Sequence, residues 1–119
     1  VQPFFASAVW RRIRQAAQIL REEPFITALP ADEVVPGTGV PGAEVLVQGI
    51  ADLVLVFDDH AEILDYKTDR STDADFYLRE YADQLRLYRR AFAQRLRVPV
   101  TKLTIYSFTM QQEIDVPLR

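Results

Sequence analysis

Two aspartates and a lysine stand out in the stretch Val47 to Arg70, VQGIADLVLVFDDHAEILDYKTDR. Asp52 lies within one apolar, β-branched run (Val47–Phe57) and Asp65 near the end of a second (Ala61–Tyr66). The Asp58-Asp59-His60 step between them is too short for a crossover, which predicts an antiparallel hairpin. With Asp58 and Asp59 as a two-residue turn, Phe57 faces His60 and counting back sets Asp52 opposite Asp65. Lys67, two residues past Asp65, then projects from the same face. Directly opposed carboxylates have Cβ atoms about 5 Å apart, and they repel unless a proton or a cation compensates. Mg²⁺ sits on one or two carboxylates plus a substrate phosphate. With an ammonium beside them, the three side chains suit metal-assisted phosphodiester hydrolysis. Two alternatives stay open: a one-residue slip in the turn would set Asp52 against Tyr66, or both acids simply end strands and point into water.

The elements that must position these groups follow from the rest of the chain. Both faces of the hairpin are apolar, with Ile50, Val54, Val56 and Ile63 on one and Ala51, Leu53, Leu55, Phe57, Leu64 and Tyr66 on the other. Such a pair belongs at a sheet centre covered by helices. Ser7 predicts the cap of a helix running to about Leu20, with Val9, Trp10, Ile13, Ala16, Ala17 and Leu20 buried and Arg11, Arg12 and Arg14 facing water or DNA. Pro24 is expected to stop that helix and start a short strand, Phe25–Leu29. Residues 30–43, rich in proline and glycine, read as a mobile loop. A second helix is expected from Asp73 to about Leu96, with Tyr77, Tyr81, Gln84 and Tyr88 on one face. Leu103–Thr109 and Glu113–Val116 complete a mixed sheet. The expected architecture is therefore α/β, a central sheet flanked by helices, in one domain spanning residues 1–119.

At 119 residues, 49% hydrophobic and 26% charged, the composition is that of one ordinary globular domain. There is no apolar run of membrane-spanning length and no signal-peptide pattern, so a cytoplasmic chain without membrane contact is expected. With no cysteine there is no disulfide, thiolate metal site or iron–sulfur cluster. The net charge of −3 is unlike that of a free-standing nucleic-acid binder, but the charges segregate. Residues 84–102 carry Arg86, Arg89, Arg90, Arg95, Arg97 and Lys102 without an acid, most of them read as solvated helix positions. His60, the only histidine, reads as an exposed turn residue and not as a ligand.

Gly49-Ile50-Ala51-Asp52-Leu53, then Asp65-Tyr66-Lys67-Thr68-Asp69-Arg70, then Tyr81, Gln84 and Tyr88 in YADQLRLY resemble the nuclease domain of the RecB/AddA helicase–nucleases, within the PD-(D/E)XK superfamily. The resemblance runs from about Glu22, in a segment similar to the family's Glu-x-Pro-Phe strand, to about Tyr88. It implies a restriction-endonuclease-like fold and Mg²⁺- or Mn²⁺-dependent DNA cleavage in double-strand break repair. Asp52, Asp65 and Lys67 would be catalytic. Asp52, Asp65 and the Tyr66 carbonyl would hold metal, with Glu22 near it. Gln84, Tyr88 and Arg70 would contact DNA, expected to be single-stranded. Helicase domains of a parent chain and a partner subunit would be its partners.

The sequence departs from the family in two places. Ala51 stands where the superfamily name has proline, and no histidine precedes His60, whereas the family carries a metal-binding histidine upstream of its Glu-x-Pro-Phe strand. A chain that opens on Val1 and has its only methionine at Met110 is expected to be an excised, N-terminally truncated piece of a larger protein. Such a piece could bind metal weakly. A catalytically incomplete DNA-binding or assembly module, and a stand-alone exonuclease of the same superfamily, are the alternatives.

Overall fold

The computed structural model describes residues 4–34, 37 and 41–118. A five-stranded sheet of order β1-β2-β3-β4-β5 forms its middle layer. The strands are β1 (Gln18–Pro30), β2 (Glu44–Val56), β3 (Ala61–Lys67), β4 (Val100–Ser107) and β5 (Gln112–Val116), with helices α1 (Ala8–Gln15), α2 (Ala31–Val34) and α3 (Ala74–Leu96). Only β3 and β4 run parallel, because α3 returns the chain between them. The α/β sheet-and-helix architecture expected from sequence is the one observed.

Each helix covers one face. Val9 and Ile13 of α1 pack on Leu53, Leu55, Leu64 and Tyr106. Tyr77, Leu85, Tyr88 and Phe92 of α3 pack on Phe25, Val54, Ile63, Leu103 and Ile105. Ser7 caps α1, its Oγ accepting from the Trp10 N–H at 3.1 Å. Asp73 caps α3 in the same way, accepting from the Asp75 N–H at 3.0 Å.

Helix α1 is shorter than its apolar pattern predicts. Ala16 is already extended, the Ala17 N–H bonds the Val56 carbonyl at 2.9 Å, and Gln18 pairs with Val56. Strand pairing thus captures Ile19 and Leu20, which the helical spacing assigned to α1. The strand so formed runs through Pro24, which an edge strand tolerates because its missing N–H can face away from the sheet. Residues 30–43, expected to be one loop, contain the turn of helix α2; residues 35–36 and 38–40 of that loop lie outside the described set.

Side-chain alternation in β2 breaks at Asp52. Ala51 belongs to the core under α3 with Val54, whereas Leu53 packs with Leu55 on the α1 side. Residues two apart on a regular strand share a face, so the parity shifts by one there. Ile50 accordingly lies outward, 58% exposed, and not beside Val54 as simple alternation predicts. The neighbouring strand shifts too: Leu20 and Phe25, an odd number apart, both lie on the α3 side. Arg21 pairs with Leu53 and Glu23 with Ala51, while Glu22, at φ +45°, drops out of the ladder. Beyond this double irregularity β1 and β2 continue as a two-stranded ribbon, whose outward face exposes Ile26, Leu46 and Ile50.

Most arginines expected to face solvent are tied to backbone or acids. Arg12 bridges Glu62 at 3.0 Å and Glu113 at 3.5 Å, pinning α1 across the sheet, so it does not face water or DNA as its helical position predicted. Arg89 Nε donates to the Val100 carbonyl, Arg86 Nε to that of Pro117 and Arg95 to that of Pro24. Arg95 also pairs with Glu23, Arg90 with Glu33 and Lys102 with Asp115.

Candidate functional site

The turn behaves as its length requires. The Phe57 N–H bonds the His60 carbonyl at 2.8 Å, and the pairs run Val56–Ala61, Leu55–Glu62, Val54–Ile63 and Leu53–Leu64. The next step of that register is Asp52 opposite Asp65, so the slipped alternative is excluded. His60 is in the turn, but it is not the fully exposed residue expected. Its ring stacks on Phe57 with centroids 4.5 Å apart, and Nδ1 lies 2.7 Å from Asp59 Oδ1. Those carboxylates, with Glu62, raise its pKa above the ordinary histidine value.

Asp65 is 5% exposed, the one acid among the described buried residues. Its carboxyl is pushed up to about 7, first by burial and next by hydrogen bonding with Asp52, while the Lys67 ammonium acts the other way. Asp52 Oδ2 accepts the Tyr66 N–H at 2.8 Å, which orients this carboxylate toward the centre of the sheet. Lys67 Nζ lies 2.9 Å from Asp65 Oδ2, yet that oxygen has no directional hydrogen bond. Asp52, Asp65 and Lys67 are therefore together on the α3 side of the sheet, neither acid at a solvated strand end. Two opposed carboxylates, with a buried, under-satisfied oxygen between them, match the donor preference of a hard divalent cation. Among the described residues no group of three or more histidine, cysteine or acidic side chains is arranged to hold one, so Glu22 does not complete the set.

The residues expected to meet DNA are distributed unevenly. Tyr88 is buried, its ring 5.0 Å from that of Phe25, and both carboxylates together with burial raise its pKa. Gly49 makes that closure possible, since a Cβ there would stand 3.2 Å from Phe25 Cζ and 3.3 Å from Tyr88 Cε1. Gln84 is open to solvent although it shares a helix stripe with covered Tyr81 and Tyr88. Arg70 is exposed in the loop between Lys67 and α3. Tyr66, between Asp65 and Lys67, turns its ring to the opposite face, against Phe4 and Phe108.

Sequence reasoning missed the group that builds the site's far wall. Asp69 accepts the Tyr81 hydroxyl on Oδ2 at 2.8 Å. Its carbonyl accepts the Tyr77 hydroxyl at 2.9 Å and the Thr109 hydroxyl at 2.6 Å. Tyr77 Oη also donates to the Ser71 carbonyl at 2.8 Å and accepts from Ser107 Oγ at 2.9 Å. The Asp69 carboxylate holds the Tyr81 hydroxyl protonated, its pKa pushed up to about 12. The helical spacing of Tyr77 and Tyr81 was the available signal; their partners were not.

Comparison with known proteins agrees with this arrangement. The PD-(D/E)XK nuclease superfamily model matches residues 2–116. The ATP-dependent helicase/nuclease subunit of Geobacillus thermodenitrificans is 41% identical over 115 residues, covering 88% of this chain and 9% of that protein. Those of Heliobacterium modesticaldum and Oceanobacillus iheyensis are 36% and 37% identical, covering 93% and 100% of this chain. The chain spans only about a tenth of the length of such relatives: 8% of the Heliobacterium protein and 10% of the Oceanobacillus one. A solved structure, the crystal structure of SSO0001, shares the fold, with a TM-score of 0.55 and 20% identity over 85% of this chain and 43% of that one. No helix among the described residues is long and apolar enough to cross a membrane. Sequence, fold and site thus converge, and the chain belongs to the PD-(D/E)XK nuclease superfamily.

Proposed function

We propose that this domain hydrolyses DNA phosphodiesters, using Mg²⁺ or Mn²⁺ held by Asp52, Asp65 and the Tyr66 carbonyl, as the nuclease part of a cytoplasmic helicase–nuclease in double-strand break repair and recombination. The observation that carries this reading is the buried Asp65 carboxyl, opposed to Asp52 and pushed up to about 7. An acid so placed is poorly satisfied without a cation. When bound, the ion would supply a water of lowered pKa and neutralise charge on the scissile phosphate. Lys67, 2.9 Å from Asp65, is placed to orient that water and to stabilise charge developing on phosphorus. Exposed Gln84 and Arg70 offer an amide and a guanidinium to the phosphates of a single strand, with Tyr88 supporting the same wall. Helicase domains and a partner subunit follow from the relatives' description as part of a helicase/nuclease.

The purified chain should cleave labelled single-stranded DNA with Mg²⁺ or Mn²⁺ and stop with EDTA. Asp65→Ala and Lys67→Ala should each reduce cleavage by about 100-fold or more while keeping the wild-type circular dichroism spectrum. Undiminished cleavage by Asp65→Ala refutes the assignment. The small donor set among the described residues favours one rival, a nuclease-like DNA-binding or assembly module. Calorimetry separates the two: DNA binding indifferent to metal, without cleavage, favours the module.

A further inference from the structure

We propose that Tyr81 is a positioning residue for Lys67, its ring face holding the ammonium beside the carboxylates and Asp69 holding the ring. This rests on the hydrolytic reading for its purpose, though not for its geometry. Lys67 Nζ lies 3.9 Å from the centroid of the Tyr81 ring. The hydroxyl at the far end of that ring donates to Asp69 Oδ2 at 2.8 Å. Asp69 is itself fixed, since its carbonyl accepts from Tyr77 and Thr109, which brace the loop from α3 and from the β4–β5 connection.

Lysine is a point charge on a flexible four-carbon stem, so it needs contacts to hold it in one place. Asp65 cannot be the sole holder. Its Oδ2 is the oxygen nearest the ammonium, and any cation taken up by the carboxylates competes for it. The aromatic face attracts the ammonium through its quadrupole and leaves the carboxylate oxygens free. Tyr81 thus keeps Lys67 at the site while Asp65 is otherwise engaged.

The test uses proton–carbon NMR of the metal-free chain together with steady-state cleavage of single-stranded DNA. In the wild type the Lys67 ε-methylene protons should show cross-relaxation to the Tyr81 ring and an upfield ring-current shift relative to Lys102. Tyr81→Phe should keep the shift and most of the activity. Tyr81→Leu should lose the shift and lower kcat on the order of tenfold with KM unchanged, the scale of one partly desolvated cation–π contact. No cross-relaxation in the wild type, a measurement that needs no variant to fold, overturns the assignment, as does a Lys67 shift unaffected by Tyr81→Leu. Wild-type kcat in Tyr81→Leu overturns it too. A wild-type chain that shows the ring-current shift but no cleavage counts against the hydrolytic reading and leaves the contact supported.

Discussion

Asp65→Asn should make the metal-free protein more stable at neutral and alkaline pH. The folded chain holds this carboxyl at about 7 against an ordinary value of 3.8, and that elevation already includes the opposing effect of Lys67. A folded-state pKa raised above the unfolded one means that the native state binds the proton more tightly. The resulting stabilisation is complete below the unfolded value, near pH 4, and is lost as pH rises to about 7. A shift of roughly three units corresponds to a loss of about 4 kcal/mol above pH 7, and of about 2 kcal/mol at pH 5. Asparagine has the same shape and no charge to desolvate, so it should escape that loss. Urea denaturation in EDTA should show Asp65→Asn ahead of wild type at pH 8 by up to ~4 kcal/mol, with the gap about halved at pH 5. In thermal melts each kcal/mol should appear as roughly 4 °C. A variant less stable than wild type at pH 8, or a gap that ignores pH, would refute the view that Asp65 is an acid held at a site costly to ionise.

Gly49→Ala should destabilise the fold by about 1–3 kcal/mol in the same denaturation assay, because its Cβ crowds Phe25 and Tyr88 at 3.2–3.3 Å; a neutral result would show that these rings can retreat. Tyr77→Phe should cost about 1–3 kcal/mol, since it strips a fully buried hydroxyl from the Ser71 and Asp69 carbonyls and from Ser107. Hydrogen exchange should then quicken around residues 69–71 before the sheet centre responds.

The carboxylate pair was readable because it depends on one short-range quantity, the length of the turn at Asp58-Asp59, which fixes every later pairing down to Asp52 and Asp65. The limits of α1 were not. The apolar spacing of Ala16, Ala17 and Leu20 continues a helical pattern, and what ends the helix is a strand partner nearly forty positions away, Val56. Arg12 was misread for the same reason, its acids lying at Glu62 and Glu113. The parity shift at Asp52 leaves no trace in composition, because Ile50 and Ala51 are both apolar and only packing decides which one is covered. Asp69 drew no attention because its role depends on a hydroxyl from α3 and another from Thr109, three segments that meet only in the fold.

The ribbon formed by β1 and β2 has a mechanical corollary. Beyond Asp52 it is a cantilever of some 20 Å at ordinary strand rise, rooted where Asp52 meets Asp65. Its prop is α3, through Thr27 with Gln94 and Glu23 with Arg95. A push or pull at its free end loads the root and the helix at once. The distance between the two acids and the seating of Tyr81 are thereby geared to a lever that projects from the body of the enzyme.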